Sequence, residues 1–223
     1  VIMRYLIYSL STISIISLST YIIYYIYKKK KKLNVKLIAI TGNIGSGKST
    51  LLEYIDKNYY IIKYNFADPI KEIGLKFGFG YKQLYGNQKD KLKINKIWNI
   101  SGRKFMQLFG TEISKIYFPK VFKKSNLENC GIWSKIFENF YLKNNDSKTI
   151  IIGDLRFKDE EYIIKKYSGV IIKIIRVNNT NLGIKHSSEL YIKDIKPTHI
   201  IHNNLDLNNL YNEIDKILLQ YKK

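Results

Sequence analysis

The stretch KLIAITGNIGSGKST, residues 36–50, joins an apolar run, a glycine-rich turn and the start of a helical pattern. An unbroken aliphatic run of this length, ended by a turn signal, suits a strand buried on both faces of a parallel sheet. Gly42, Gly47, Lys48 and Ser49 fill the pattern GxxxxGK[ST], with Gly45 as an extra glycine inside it. Glycines let the backbone wrap closely around an anion and turn its N–H groups inward, and a helix starting near Lys48 adds the positive end of its dipole. Asn43, Ser46 and Thr50 complete the loop. Lys48 has the reach for the β and γ phosphates, and the Ser49 hydroxyl can ligate Mg²⁺. The pattern implies ATP or another nucleoside triphosphate but does not name the acceptor.

Outward from this loop, strand and helix signals alternate. STLLEYIDK carries Leu51, Leu52 and Ile55 at helical spacing, YYIIKYN at residues 59–65 reads as a second strand, and DPIKEIGLKFG as a second helix with Pro69 in its first turn. Residues 81–145 are helical in pattern, with Trp98, Phe105, Leu108, Ile113, Trp133, Ile136 and Phe140 as expected apolar ribs. TIIIGD at 149–154 and GVIIKIIRV at 169–177 read as buried strands flanking a helix through residues 160–166. THIIHN gives a last strand before a closing helix with Leu207, Leu210, Ile214, Ile217 and Leu218 on one side. The expectation is an α/β fold, a parallel sheet of about five strands with helices on both faces.

Composition narrows the partners less than the charge suggests. A formal net charge of +20 favours polyanions, but only Arg4, Arg103, Arg156 and Arg176 are arginine and the remaining basic residues are lysines spread along the chain. Such a coat confers little specificity, so no specific nucleic acid is expected as a partner. The single cysteine, Cys130, excludes an internal disulfide and a zinc cluster made of cysteines.

Residues 5–27 are uncharged and long enough to cross the roughly 30 Å of bilayer hydrocarbon as a helix; the lysines of residues 28–32 follow at once. Used as a membrane anchor, this order puts the rest of the chain on the cytoplasmic side. The other reading makes it an extension absent from the working protein, whose first residue here is Val1. Residues 1–32 are therefore separated as a leader from a domain at 33–223, expected in the cytoplasm with or without a tether.

A second motif bears on the acceptor. In IIIGDLR, Asp154 ends an apolar strand where an acid can reach the magnesium ion or its water shell, and Arg156 follows two residues later. Arg156 reads either as a surface arginine closing the strand or as a phosphate ligand. Guanidinium forks bind phosphate oxygens at two points, which lysine cannot copy, so in a lysine-dominated chain Arg103 and Arg156 are the better candidates for substrate phosphates. Asp68 and Lys71 in FADPIK follow the second strand and face the same crevice; for Asp68 the alternative is capping of the helix at Pro69. Glu112 and Glu189 read as acceptors for sugar or base, or as solvated helix residues. Trp98, Phe105 and Trp133 read as core residues or base-stacking platforms. His186, His199 and His202 read as structural or lid residues.

GNIGSGKST, FADPIK, GRKFMQLFGTE, the tryptophan of GIWSKIF, GDLRFKDE and HSSE at residues 186–189 occur in an order that resembles the deoxynucleoside monophosphate kinases of phages and large DNA viruses, within the P-loop nucleotide kinase superfamily. The resemblance runs from about residue 36 to the end. It implies a helical substrate-binding insertion, a short lid, and transfer of the ATP γ-phosphoryl group to the 5′-phosphate of a deoxynucleoside monophosphate. It assigns Lys48 and Ser49 to ATP and magnesium, Asp154 and Arg156 to the transferred group, and Arg103, Lys104, Gln107 and Glu112 to the monophosphate. It departs at Lys115, which follows GTE without the fork of an arginine, and at the lid, which is lysine-based around Lys185. A homodimer is one assembly open to such an enzyme. The competing readings are another small-molecule P-loop kinase, such as one acting on dephospho-coenzyme A, and a membrane-tethered nucleotide-binding regulator.

Overall fold

The computed structural model describes residues 30–121, 131–146, 148–177 and 191–222. The chain enters through β1 (Leu37–Thr41), α1 (Lys48–Asn58), β2 (Ile61–Tyr64) and α2 (Asp68–Lys76). A largely helical section follows: α3 (Tyr81–Tyr85), α4 (Gln88–Leu92), the ribbon β3 (Ile94–Asn95) and β4 (Ile100–Ser101), α5 (Gly102–Gln107), a π-helix (Leu108–Tyr117), α6 (Phe118–Val121) and α7 (Ile132–Asn144). It returns through β5 (Thr149–Ile152), α8 (Lys158–Lys166), β6 (Val170–Ile175), a 3₁₀ turn (Tyr191–Asp194), β7 (His199–His202) and α9 (Leu207–Leu219).

Five strands form one parallel sheet in the order β2-β5-β1-β6-β7. The period of two sorts each strand onto two cores. Leu37 and Ala39 of β1, Ile150 and Ile152 of β5 and Ile171 of β6 face α7, α8 and the helical section, packing on Phe105, Trp133, Phe137 and Ile163. Ile38, Ile40, Ile151, Ile172 and Ile174 face the opposite way, onto Leu51 and Ile55 of α1 and Leu210, Ile214 and Leu218 of α9. Burial on both faces is why these strands read as continuous aliphatic runs. The chain leaves β1 for β2 on one side and later crosses to β6 on the other. The crevice outside the strands' carboxyl ends beside β1 is where such sheets take ligands.

Three expected ribs of the middle section are not core. Trp98 is 48% exposed because it sits in the β3–β4 turn, where Asn95 Oδ1 accepts from the Ile97 and Trp98 amides. Ile113 is 41% exposed because the π-helix changes the side-chain period, and Ile136 is 38% exposed because α7 buries the stripe Trp133–Phe137–Tyr141 instead.

At the amino ends of the strands, Lys30–Leu33 pack onto the domain. Lys31 pairs with Tyr59, exchanging backbone hydrogen bonds with Asn58 and Tyr60, and Leu33 pairs with Lys222. No helix among the described residues is long and apolar enough to cross a membrane; residues 5–27, like Lys185, His186 and Glu189, lie outside them.

Candidate active site

The loop after β1 is wound by three glycines with positive φ: Gly42 at 148°, Gly45 at 78° and Gly47 at 103°. A Cβ at Gly42 would lie 2.4 Å from the Ile174 carbonyl oxygen, and one at Gly47 2.5 Å from Asn203 Nδ2, so both conformation and space require glycine. Gly47 opens α1, whose first turn carries no acidic residue and no side-chain cap, leaving its N–H groups to an anion. Ser46 Oγ is buried with no hydrogen-bond partner among the described residues. This cradle, with an orphaned hydroxyl inside it, fits a polyphosphate. Lys48 Nζ lies across the loop, donating to the carbonyl oxygens of Gly42 (2.5 Å) and Asn43 (2.7 Å). Ser49 is exposed at the mouth and Thr50 half-buried behind it.

The neighbouring loops are clamped to this one. Thr41 Oγ1 donates to Leu155 O at 2.8 Å, and Leu155 N to Ile40 O, so the loop after β5 is tied to the end of β1. Asn203, buried just beyond β7, donates through Nδ2 to Ser46 O at 2.9 Å and through its backbone N–H to Ile175 O. It thus braces the phosphate loop from the far side of the sheet. The sequence reading missed Asn203; its one signal was a polar residue ending the last apolar strand.

Asp154 accepts the amides of Phe66 (2.7 Å) and Ala67 (3.0 Å), fixing the start of the FADP segment at the crevice. Burial pushes its carboxyl above the ordinary range, against the opposite pull of those two amides and of Arg156 and Lys71. Asp68 is not the cap of α2: Ala67 holds the N-cap position, and the Asp68 carboxylate accepts from Lys71 Nζ at 2.7 Å and Asn65 Nδ2 at 2.8 Å. Lys71 is thereby steadied at the crevice.

Arg103 lies in the first turn of α5, which starts at the Ser101 cap; Gly102 before it is pressed onto the chain, its Cβ position 2.1 Å from Gln83 O. Arg103 and Gln107 stand four residues apart on one half-buried face, whereas Lys104 is exposed. Glu112 Oε2, in the π-helix, is buried with no hydrogen-bond partner among the described residues. The α-period from Arg103 to Gln107 and the longer π-period from Gln107 to Glu112 bring all three toward one side.

Lys91 of α4 is held below the ordinary lysine range by burial and then by Lys71, Arg103 and Arg156, so four positive side chains from α2, α4, α5 and the loop after β5 share one field. Lys91 was not singled out in the sequence, where it is one lysine among many. Glu160 was also missed. Its Oε2 accepts the amides of Arg156 (2.9 Å) and Phe157 (3.1 Å), holding the backbone that carries Arg156, and burial raises its carboxyl to about 8. Phe105 and Trp133 are core residues: Phe105 packs 4.7 Å from Phe79 centroid to centroid, and Trp133 Nε1 donates to Gly110 O at 3.0 Å. His199 bonds Tyr221 at 2.8 Å, outside the crevice.

Residues 76–214 match the family model described as deoxynucleotide monophosphate kinase. A protein of Acanthamoeba polyphaga mimivirus, named as a candidate deoxynucleotide monophosphate kinase, is 30% identical over 185 residues, covering 80% of this chain and 93% of its own. The chain belongs to the deoxynucleotide monophosphate kinase family. The match includes Arg103, Gln107, Glu112, Asp154 and Arg156, while the phosphate loop precedes it. Among solved structures, a dephospho-CoA kinase from Campylobacter jejuni aligns at 19% identity and a TM-score of 0.43, over 83% of this chain and 98% of its own.

Proposed function

We propose that the protein transfers the γ-phosphoryl group of ATP to the 5′-phosphate of a deoxynucleoside monophosphate, giving ADP and the deoxynucleoside diphosphate. Membership in the family makes it a nucleoside monophosphate kinase; the donor, the metal and the roles of the residues are this proposal. The observation that carries it is the glycine cradle at the end of β1, together with the field that Lys71, Arg103 and Arg156 exert on Lys91.

In this reading residues 42–50 receive the ATP phosphates, with the α1 amides and the Ser46 hydroxyl turned to their oxygens. Lys48 exchanges the Gly42 and Asn43 carbonyls for the β and γ phosphates. A Mg²⁺ ion bound here would supply neutralising charge to the phosphates. Ser49 would ligate it directly. Each Asp154 oxygen already accepts one amide, so its remaining lone pairs suit the water shell of the ion better than the ion itself. Among the described residues no group of three acidic, histidine or cysteine side chains could hold a metal ion.

The acceptor's 5′-phosphate is already anionic, so no general base is needed. The site's work is to hold two polyanions in line and spread cationic charge over the moving group. Arg103 and Lys71 hold the acceptor phosphate, and Arg156 stands between acceptor and donor. Lys104 is the weakest of the expected contacts, because it points off the Arg103–Gln107 face. Glu112 offers its buried oxygen to a hydroxyl or amino group of the nucleoside, and Glu189 belongs to the same expected contacts. Tethering through residues 5–27 and pairing into a homodimer are separate proposals on which this chemistry does not depend.

An ADP-release assay with Mg²⁺, ATP and each of the four deoxynucleoside monophosphates tests the reading, with dephospho-coenzyme A as a control. Turnover with at least one nucleotide and none with the control is expected. Absence of ADP release above the acceptor-free rate with all four would overturn it.

A further inference from the structure

Lys115 follows the GTE segment, and its side chain is engaged by acidic residues. It sits 15% exposed, reaching from the π-helix to the segment after β5. There its Nζ donates to Asp159 Oδ1 at 2.6 Å, lies 3.8 Å from Glu160 Oε1 and stands 3.8 Å from the centre of the Phe157 ring. The other oxygens of the two carboxylates are also engaged. Asp159 Oδ2 accepts from Ser134 Oγ of α7 at 3.0 Å, and Glu160 Oε2 accepts the Arg156 and Phe157 amides. Space around the junction is tight, since a Cβ at Gly131 would lie 2.3 Å from Asp159 Oδ2. One ammonium therefore touches three residues of 157–160 and, through Glu160, the backbone that presents Arg156.

The two ends of this strut lie on different halves of the site. The π-helix continues α5, which carries Arg103 and Gln107, and holds Glu112 itself; the segment after β5 carries Asp154 and Arg156. We propose that Lys115 is a positioning residue which sets the spacing between the acceptor-holding helix and the Arg156 segment, so that a seated monophosphate and the Arg156 guanidinium come into line together. This rests on the kinase reading above. Burying a lysine this deeply is costly unless it is paired, and here the pairing ties the π-helix to the segment after β5. Displacing the strut leaves each binding half intact and misaligns them. In-line transfer is sensitive to such errors: a shift of about 1 Å can cost about 100-fold in rate.

The test compares wild type with Lys115→Met, Lys115→Arg, Asp159→Asn and the Lys115→Met/Asp159→Asn double variant. Steady-state kinetics are run in both substrates, and folded fraction is read by circular dichroism at the assay temperature. Lys115→Met is expected to lower kcat by about 10- to 100-fold, with KM for ATP changed by less than about twofold. Lys115→Arg, which keeps the charge and can reach both acidic side chains, restores most of the rate. The double variant is no slower than the slower single variant, as for two groups acting through one contact. Asp159→Asn keeps the test open if Lys115→Met folds poorly, since it removes the charge at constant size and should show the same split. Wild-type kcat in both single variants, a loss matching the loss of folded protein, or an arginine variant as slow as the methionine one would overturn the proposal. A wild-type protein inactive on every deoxynucleoside monophosphate removes the kinase reading first, and the strut with it.

Discussion

At Gly47 a single hydrogen atom stands between the phosphate loop and its brace. A methyl group there would meet Asn203 Nδ2 at 2.5 Å in a backbone with φ of 103°, a conformation costing about 1–2 kcal/mol for a residue with a Cβ. Gly47→Ala should therefore lower Tm and weaken ATP binding together, measured by thermal unfolding with and without nucleotide; an unchanged nucleotide-induced Tm shift would count against the cradle. Arg156→Lys separates charge from shape. Keeping the cation but losing the planar fork should reduce kcat by about 10- to 100-fold while the folded state is retained, because lysine cannot contact two phosphate oxygens in one plane. Lys48→Met should remove turnover altogether. An Arg156→Lys enzyme at wild-type rate would show that Arg156 closes the strand and nothing more.

Among the elements, Glu138 ties α7 to α8. Glu138, 4% exposed, accepts from Lys135 Nζ and Lys166 Nζ and from the Tyr167 hydroxyl, and these partners, the two lysines first, hold its carboxyl at about 2 despite burial. A folded value below the unfolded one contributes stability that is present above the ordinary glutamate range and is lost as pH falls toward 2. Glu138→Gln should then be less stable than wild type at pH 7, by about 1–3 kcal/mol for a buried charged acceptor removed from three donors. Denaturant unfolding across pH 7 to 3 should show the gap narrowing toward the acid end; a gap constant with pH would place the effect elsewhere. The strands β1, β5 and β6 were legible in the sequence because burial on both faces leaves no room for polar residues. The β3–β4 ribbon was not, since two residues per strand carry no period and its turn rests on the Asn95 side chain. The π-helix was equally hidden: its residues suit an α-helix, and only packing, with Trp133 taking the Gly110 carbonyl, reveals the wider turn. Glu160 and Asn203 escaped notice because each acts through backbone amides or carbonyls brought close by the fold.

In the whole molecule the two ends of the sheet have different tasks. The carboxyl ends gather the phosphate loop, Asp154 and the cations, while the amino ends receive the lysine run. There Lys31 donates to Asn58 O and accepts from Tyr60 N, both at 2.9 Å, Lys30 hydrogen-bonds the Asp56 carbonyl, and Leu33 packs against the core beneath α1 and α9. Two backbone hydrogen bonds at about 1 kcal/mol each and a partly buried leucine worth about 1 kcal/mol amount to about 2–3 kcal/mol. In a domain of this size each kcal/mol moves Tm by about 2–4 °C. A chain starting at Asn34 should therefore melt several degrees below one starting at Lys30, with kcat and both KM values unchanged, because these contacts lie at the end of the sheet away from the crevice. Equal Tm values would mean that the pairing of Lys31 with Tyr59 contributes nothing in solution. A loss of kcat in the shorter chain, measured well below its Tm, would mean that the amino end is coupled to the phosphate loop through β1, whose five buried residues are the direct connection between them.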